Sequence, residues 1–578
     1  MAQNGSYYDF VVVGGGTAGN TVAGRLAENP NVTVLIVEAG VGNPQEVEMI
    51  TTPSEAMELR NSEHDWAYKT TMVKRDDYER IEKPNTRGKA LGGSSSLNYF
   101  TWVPGCKPTF DRWEEFGGKE WTWDPLVPYL RKSATYHDDK GLYDKDLQKI
   151  GPGGPVHISH AELLDEMKPF RDAVTKAWTA TGQPITENIY DGEMNGLTHC
   201  CDSIYKGVRS GSFLFVQNKP NIAIVPKVHS KRLIIDDADR TCKGVTVIDA
   251  SGNELSFFAS REVILSQGVF ETPKLLMLSG VGPTRELQKH GINTIVDSRH
   301  VGQHLIDHPG VPFVLRVKDG YGMDDVLLRK GPRTTPPSRP TRRTIPVLQA
   351  LDCLSLSGSP VSMSISRRMR PTTRPRLPTE ARTPSRPRAS LTLSSTLSAC
   401  SAVPSSGTSP HPRRASISPW WSTLCGPSLS LVRSRSTADP FQQANINLNF
   451  FANDLDILAM REGIRFTYDV LTKTDAFGPL VVSEYPWEMP LDSTEEMKRA
   501  VLDRCQTAFH PCGTARLSKS IDQGVVDPQL KVHRIKNLRV ADASVVPVIP
   551  DCRIQNSIYM VGEKAADMIK AAHGDLYK

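Results

Sequence analysis

"YDFVVVGGGTAGNTVAGRLAENPNVTVLIVEAG", residues 8–40, decides the fold. The apolar run from Phe10 to Val13 predicts a buried strand. It breaks into Gly14, Gly16 and Gly19 at G-x-G-x-x-G spacing, a helical pattern follows from Ala18 to Glu28, and a second apolar run, Val32 to Val37, ends in Glu38. Each part has a mechanical role: Gly14 permits a tight turn, Gly16 lets the backbone approach a pyrophosphate, and Gly19 lets helix and strand pack closely. The helix N-terminus, at Thr17 and Ala18, then offers unpaired N–H groups and a positive dipole end to phosphate. Glu38, followed by Ala39, is placed to accept hydrogen bonds from a ribose diol, and its charge disfavours the 2′-phosphate of NADP. Strand, helix, strand and acid in register predict a dinucleotide site on a Rossmann-like α/β unit. The spacing alone leaves NAD and FAD both open.

At 578 residues the chain exceeds what one hydrophobic core supports, so more than one lobe is expected. The formal charge of +5 suggests a polyanionic partner only until its distribution is read. Residues 331–438 hold 16 arginines, no lysine and two acids, Asp352 and Glu380; that segment carries +14 and everything else −9. No nucleic-acid stripe remains. The N-terminus has no basic region ahead of an apolar one, and no run of eighteen apolar residues occurs, so neither a signal peptide nor a membrane span is expected and the chain reads as soluble and cytoplasmic. Of ten cysteines, Cys353, Cys400 and Cys425 fall in the arginine-rich segment, and the others show no CxxC spacing; reduced thiols are the simplest reading.

Further blocks separate the two cofactors. "GKALGGSSSLNYFTWVPG" (residues 88–105), "SQGVFETPKLLMLSGVGP" (266–283), "FHPCGTARL" (509–517) and "LRVADASVVPVIP" (538–550) together resemble the glucose-methanol-choline (GMC) family of FAD-dependent oxidoreductases. The resemblance covers residues 8 to about 325 and about 440 to 572, with the blocks in the family's order. It implies an FAD-binding Rossmann-like domain joined to a sheet-and-helix substrate domain, α+β overall. It also implies flavin contacts from Gly92, Gly93, Asn98, Tyr99, Phe100 and Thr101, an adenine contact from the Val228 backbone, and a closing loop at Asp542 and Ala543. The side-chain-poor loop suits a flat ring, and Asn98 offers both donor and acceptor to its edge. Where some members carry a covalently attached histidine this chain has Leu97, so FAD is expected to be non-covalent. Residues 266–280 read as a buried strand end and a helix with Glu271 and Pro273 in its first turn and Gly280 as its stop.

The resemblance makes His510 the general base over the flavin, a role suited to a side chain whose ordinary pKa near 6.5 leaves it mostly neutral at cytosolic pH. Helical spacing predicts helices over residues 495–506 and from about Gln555 onward, so that Ile554, Gln555 and Asn556 start the second and aim its N-terminal dipole at a reduced flavin. One departure stands out. The second catalytic His or Asn of the family aligns with Arg553, which cannot act as a base. Arg553 could stabilise an alkoxide or an acidic substrate, or Asn556 could fill the role. The implied reaction is oxidation of an alcohol to a carbonyl, with hydride passing to flavin N5 and oxygen or a quinone as final acceptor. A lyase or cyclase on the same scaffold, or an inactive product of a broken gene, are the alternatives.

The expected organisation is an FAD-binding domain over 7–315, a substrate-binding domain over 316–494, and a C-terminal part, 495–578, that returns to the cofactor. Within the second, residues 331–438 contain no Lys, Phe, Tyr or Asn and are rich in Ser, Pro and Arg, a composition unable to supply a sheet. Disorder is one reading. Translation out of frame is the reading favoured here, because both edges are abrupt and family-like sequence resumes at "ADPFQQANINLNFF" (residues 438–451). Sequencing the transcript across codons 325–445 should reveal two compensating frame changes or misplaced intron borders; an uninterrupted frame identical to the present one removes that reading.

Overall fold

Seven strands organise the molecule: β1 (Tyr7–Val13), β2 (Val34–Val37), β3 (Ile222–Val225), β4 (His229–Ile235), β5 (Cys242–Ile248), β6 (Glu254–Leu265) and β7 (Leu538–Val540). They lie in the order β3-β2-β1-β6-β5-β4, with β7 also against β6. β1, β2, β3 and β6 are mutually parallel, whereas β5 pairs antiparallel with β6 and β4 pairs antiparallel with β5. Phe10–Val13 and all of β2 are buried, as continuous apolar runs in a parallel sheet covered on both faces should be. β6 is twelve residues long; its first half pairs with β5 and its last three residues pair in parallel with β7, from Val263↔Leu538 to Leu265↔Val540. This computed structural model describes residues 2–79, 82–161, 168–186, 188–194, 196–312, 314–318, 321, 439–485 and 488–577, with dipeptides at 357–358, 400–401 and 429–430. The expectations placed on 331–438 lie outside the described residues apart from those dipeptides.

Among the helices of the described residues, six bear on the site: α1 (Thr17–Leu26), α2 (Trp123–Lys132), α3 (Gly268–Leu278), α4 (Asp454–Thr472), α5 (Thr494–Arg504) and α6 (Gln555–Ala572). α1 and α6 pack so closely that a Cβ at Gly562 would lie 2.8 Å from Thr21 Cβ. Buried Glu563 of α6 binds Arg25 of α1 at 2.7 Å and accepts the Ser133 hydroxyl, 3.1 Å away, at the end of α2. α6 starts at Gln555 as its sequence predicts. α3 starts at Gly268, three residues before the expected Glu271, so Pro273 sits inside the helix. Proline there leaves the carbonyl four residues back without its N–H. That carbonyl, of Val269, accepts the Thr514 hydroxyl at 2.6 Å instead, and a C-terminal loop is thereby fastened to α3. Among the described residues no helix is long and apolar enough to cross a membrane, and none of the seven cysteines whose side chains are described forms a disulfide.

Two of the glycine roles read from the sequence, the turn at Gly14 and the close packing at Gly19, have direct counterparts. Gly14 has φ +102°, and a Cβ at Gly19 would sit 2.1 Å from Gly14 O. Gly19→Ala should therefore destabilise the protein by about 1–3 kcal/mol through forced separation of α1 from β1. The urea midpoint measures this, and an unchanged midpoint would contradict the packing argument.

Candidate active site

Gly14, Glu38, Ser266 and Asp542 follow β1, β2, β6 and β7, and all four line one cavity of about 610 Å³ beyond the strands' carboxyl ends. The first turn of α1 opens into it through Thr17 and Ala18, and no side chain caps that helix end. Gly93 faces Gly16 so closely that a Cβ on Gly93 would meet Gly16 Cα at 2.8 Å, which keeps side chains out of the cradle. Glu38 accepts the N–H groups of Gly15 (3.0 Å) and Gly40 (2.8 Å), and burial pushes its carboxyl up to about 7. One bond per oxygen leaves acceptor capacity for a ligand hydroxyl. A bare helix end, a glycine cradle and a buried acid fit the diphosphate and ribose of FAD.

Ala39, Asn98, Tyr99, Phe100, Thr101, Val228, Ala543, Ile554 and Gln555 also line the cavity. Asn98 Nδ2 donates to Gln555 Oε1, and Gln555 Nε2 donates to Phe100 O at 3.1 Å, so two amides brace the loop against the start of α6. Val228 donates its N–H to Glu38 O (3.0 Å), which leaves its carbonyl to meet a ligand. Asp542 caps α3: Oδ2 accepts the Gly268 N–H (2.9 Å) and the Thr272 hydroxyl (2.6 Å), while Oδ1 accepts the Ser544 N–H at 2.7 Å.

At the far end stand His510 and Arg553. His510 Nδ1 and His308 Nδ1 are 3.1 Å apart, so a proton on one is shared with the other. Asp307 Oδ1 accepts the N–H groups of both His308 (2.8 Å) and His510 (2.9 Å), and its Oδ2 accepts the Thr507 hydroxyl. The preceding peptide is pinned as well, with Arg87 Nη2 donating to Phe509 O (2.6 Å) and the Phe509 N–H donating to Thr507 Oγ1 (2.7 Å). This holds Phe509 at φ +64°, a conformation that persists in a non-glycine residue only when its surroundings over-determine it. Burial depresses both imidazoles, His308 to about 4 and His510 well below its ordinary value; His308 adds to the effect on His510, and Arg553 adds to both. Asp307 is pushed up to about 6 by burial. The arrangement brings together two guanidiniums, Arg87 and Arg553, and two half-buried imidazoles held toward their neutral forms.

Three candidates do not reach the cavity lining. Gly19 packs against β1. Gly92, at φ +101°, serves the turn, since a Cβ there would strike Ser96 Oγ at 2.1 Å. Asn556 corrects the expectation of a catalytic amide: it is 2% exposed, and in the amide orientation its neighbours satisfy, Nδ2 donates to Leu130 O (2.8 Å) and Oδ1 accepts from Trp102 Nε1 (3.3 Å). One position along an α-helix turns the side chain by about 100°, so Gln555 faces the cavity and Asn556 faces α2. Sequence reasoning missed Arg87, Asp307 and His308. Arg87 directly precedes the block beginning at Gly88, and the Asp-His pair is two adjacent polar residues among many; neither carries a spacing signal.

Comparison with known proteins bears on the whole chain. Sequence models of the GMC oxidoreductase family match residues 8–310 (its N-terminal part) and 428–562 (its C-terminal part). A crystal structure of formate oxidase is 63% identical, covers 100% of both chains and superposes with a TM-score of 0.86. A variant structure of formate oxidase from Aspergillus oryzae RIB40, in which lysine replaces an arginine with an effect on FAD modification, is 62% identical over 100% of both chains with a TM-score of 0.85. Choline oxidase from Arthrobacter globiformis is 29% identical over 98% of this chain and 94% of its own.

The neutral state of His308 is favoured by the fold, so the stability it contributes is full above its ordinary pKa of about 6.5 and is lost as pH falls through about 4. The gap in urea midpoint between wild type and His308→Gln should accordingly narrow from pH 7 to pH 4; a constant gap refutes the assignment.

Proposed function

The chain belongs to the GMC oxidoreductase family, and from that premise we propose that it oxidises formate with dioxygen as the electron acceptor. Formate, dioxygen and one proton give carbon dioxide and hydrogen peroxide. FAD, when bound, supplies the hydride acceptor and the route of two electrons to oxygen. The observation that carries the reading is the pair of guanidiniums, Arg87 and Arg553, at the end of the cavity beside His510. Guanidinium donors match a carboxylate in charge and geometry, and their partial burial strengthens the attraction. The 63% identity to a formate oxidase over the full length supports the same substrate.

The histidine pair suits an anion. When His308 Nδ1–H donates to His510 Nδ1, the proton of neutral His510 sits on Nε2, where it is a donor for a carboxylate oxygen. An alcohol, expected from the family resemblance, needs the opposite tautomer, with Nε2 accepting the hydroxyl proton, and a second polar partner at the position where Arg553 stands. Formate, already ionised near neutrality, asks no base of His510. Asp307 holds the backbones of both histidines, and Leu97, an aliphatic side chain on the cavity wall, offers FAD no covalent attachment.

Purified protein should bleach its flavin under anaerobic formate and, in air, release carbon dioxide and peroxide in equal amounts. Arg553→Gln should lower kcat/KM for formate by about 100-fold or more. Turnover of choline or benzyl alcohol with no response to formate would overturn the proposal, and conversion of a substrate with no flavin reduction would point to the non-redox alternative.

A further inference from the structure

Arg209 is a buried cation with no acid beside it. It is 2% exposed, and among the described residues no carboxylate pairs with it. Its Nε donates to Ile50 O (2.7 Å), and its Nη1 donates to both Asn98 O and Asn98 Oδ1 (2.9 Å each). Nη2 finds no hydrogen-bond partner among the described residues. The guanidinium carbon lies 4.1 Å from the centroid of the Phe100 ring, which is a cation–π contact. Burial pulls the group down only to about 9, so it stays charged at neutrality. Burying an unpaired charge is unfavourable, and an apolar side chain of similar length would pack with less penalty.

The contacts of Arg209 converge on the cavity wall. Asn98 and Phe100 line the cavity, and Arg209 stands directly behind them. The bond from Nη1 to Asn98 Oδ1 fixes which way that amide faces: Nδ2 must point to Gln555 Oε1, and Gln555 Nε2 in turn points to the Phe100 carbonyl. A directed series of donors therefore runs from a buried cation to the first residue of α6. Phe100 itself has φ +72°, held by the ring contact, by its own N–H on Asn98 Oδ1 (3.2 Å) and by the Ser203 N–H on its carbonyl (2.9 Å).

We propose that Arg209 is a positioning residue for the bound flavin: its fork sets the direction of the Asn98 and Gln555 amides, and its unpaired charge, one side chain behind the cavity wall, stabilises negative charge that arrives on the ring. The inference rests on the reading of this cavity as a flavin site. A bracket that merely held Phe100 in place would need no charge; this role does.

The test compares the holoenzyme with Arg209→Met and Arg209→Lys. Flavin content of the wild type reports on the cavity reading by itself, since colourless wild-type protein that takes up no FAD defeats that reading before any variant is compared. Sulfite, which adds reversibly to a bound flavin and leaves negative charge on the ring, reports local positive potential independently of turnover. Arg209→Met should retain FAD and bind sulfite at least about tenfold more weakly. Arg209→Lys should keep sulfite affinity within about threefold of wild type, while kcat/KM for formate falls about tenfold because an ammonium cannot reproduce the fork. A Met variant that binds sulfite as wild type does, or a Lys variant as weak as Met, overturns the proposal. Should the Met variant lose FAD, Arg209→Gln replaces it under the same two criteria.

Discussion

Parallel pairing of three residues of β7 with the end of β6 decides where the C-terminal part of the chain goes. The register is locked by a buried ion pair, Arg539 to Glu262 at 2.5 Å, to which His573 at the end of α6 adds a contact of 2.8 Å. Removing one partner of such a pair leaves an uncompensated buried charge, a penalty of about 3–5 kcal/mol. From that anchor the geometry propagates. Ala541 N–H continues the ladder to Leu265 O, Asp542 caps α3, and Thr514 holds the Val269 carbonyl that Pro273 leaves without an N–H. His510 and α6 reach the cavity because both flank this strand in the chain.

The site combines groups that respond to burial in opposite ways. A guanidinium starts from so high a pKa that Arg87 stays charged despite its burial, whereas the imidazoles of His308 and His510 are driven toward their neutral forms by the same desolvation. The result sets two guanidiniums, Arg87 and Arg553, beside neutral hydrogen-bonding rings. Asp307, pushed up to about 6 by burial, is still mostly ionised at neutrality and offsets part of the Arg87 charge, while its oxygens accept two backbone N–H groups and a hydroxyl. Its contribution is to fix where the rings stand.

The cofactor end was legible in the sequence because its determinants are local. Gly14, Gly16 and Gly19 act within one turn, and Glu38 follows from the length of one helix and one strand. The start of α6 at Gln555 was legible for the same reason, through helical spacing. Asn556 was misjudged because proximity along the chain says nothing of helix phase relative to α2. Arg87, Asp307 and His308 left no signal, since their value arises from meetings with residues such as His510, 202 positions from His308. Pro273, read from the sequence as a first-turn residue, lies inside a helix that starts three residues earlier, and the Thr514 hydroxyl satisfies the carbonyl it leaves without an N–H.

By itself the sequence determined the α/β class, the nucleotide cradle and the family, because strand periodicity, glycine spacing and a terminal acid are properties of neighbouring residues. Tertiary structure alone decided the part of the cavity around His510: two guanidiniums and a linked histidine pair come from four distant segments, and the imidazoles' charge states are set by burial, which no single segment possesses before the chain has folded.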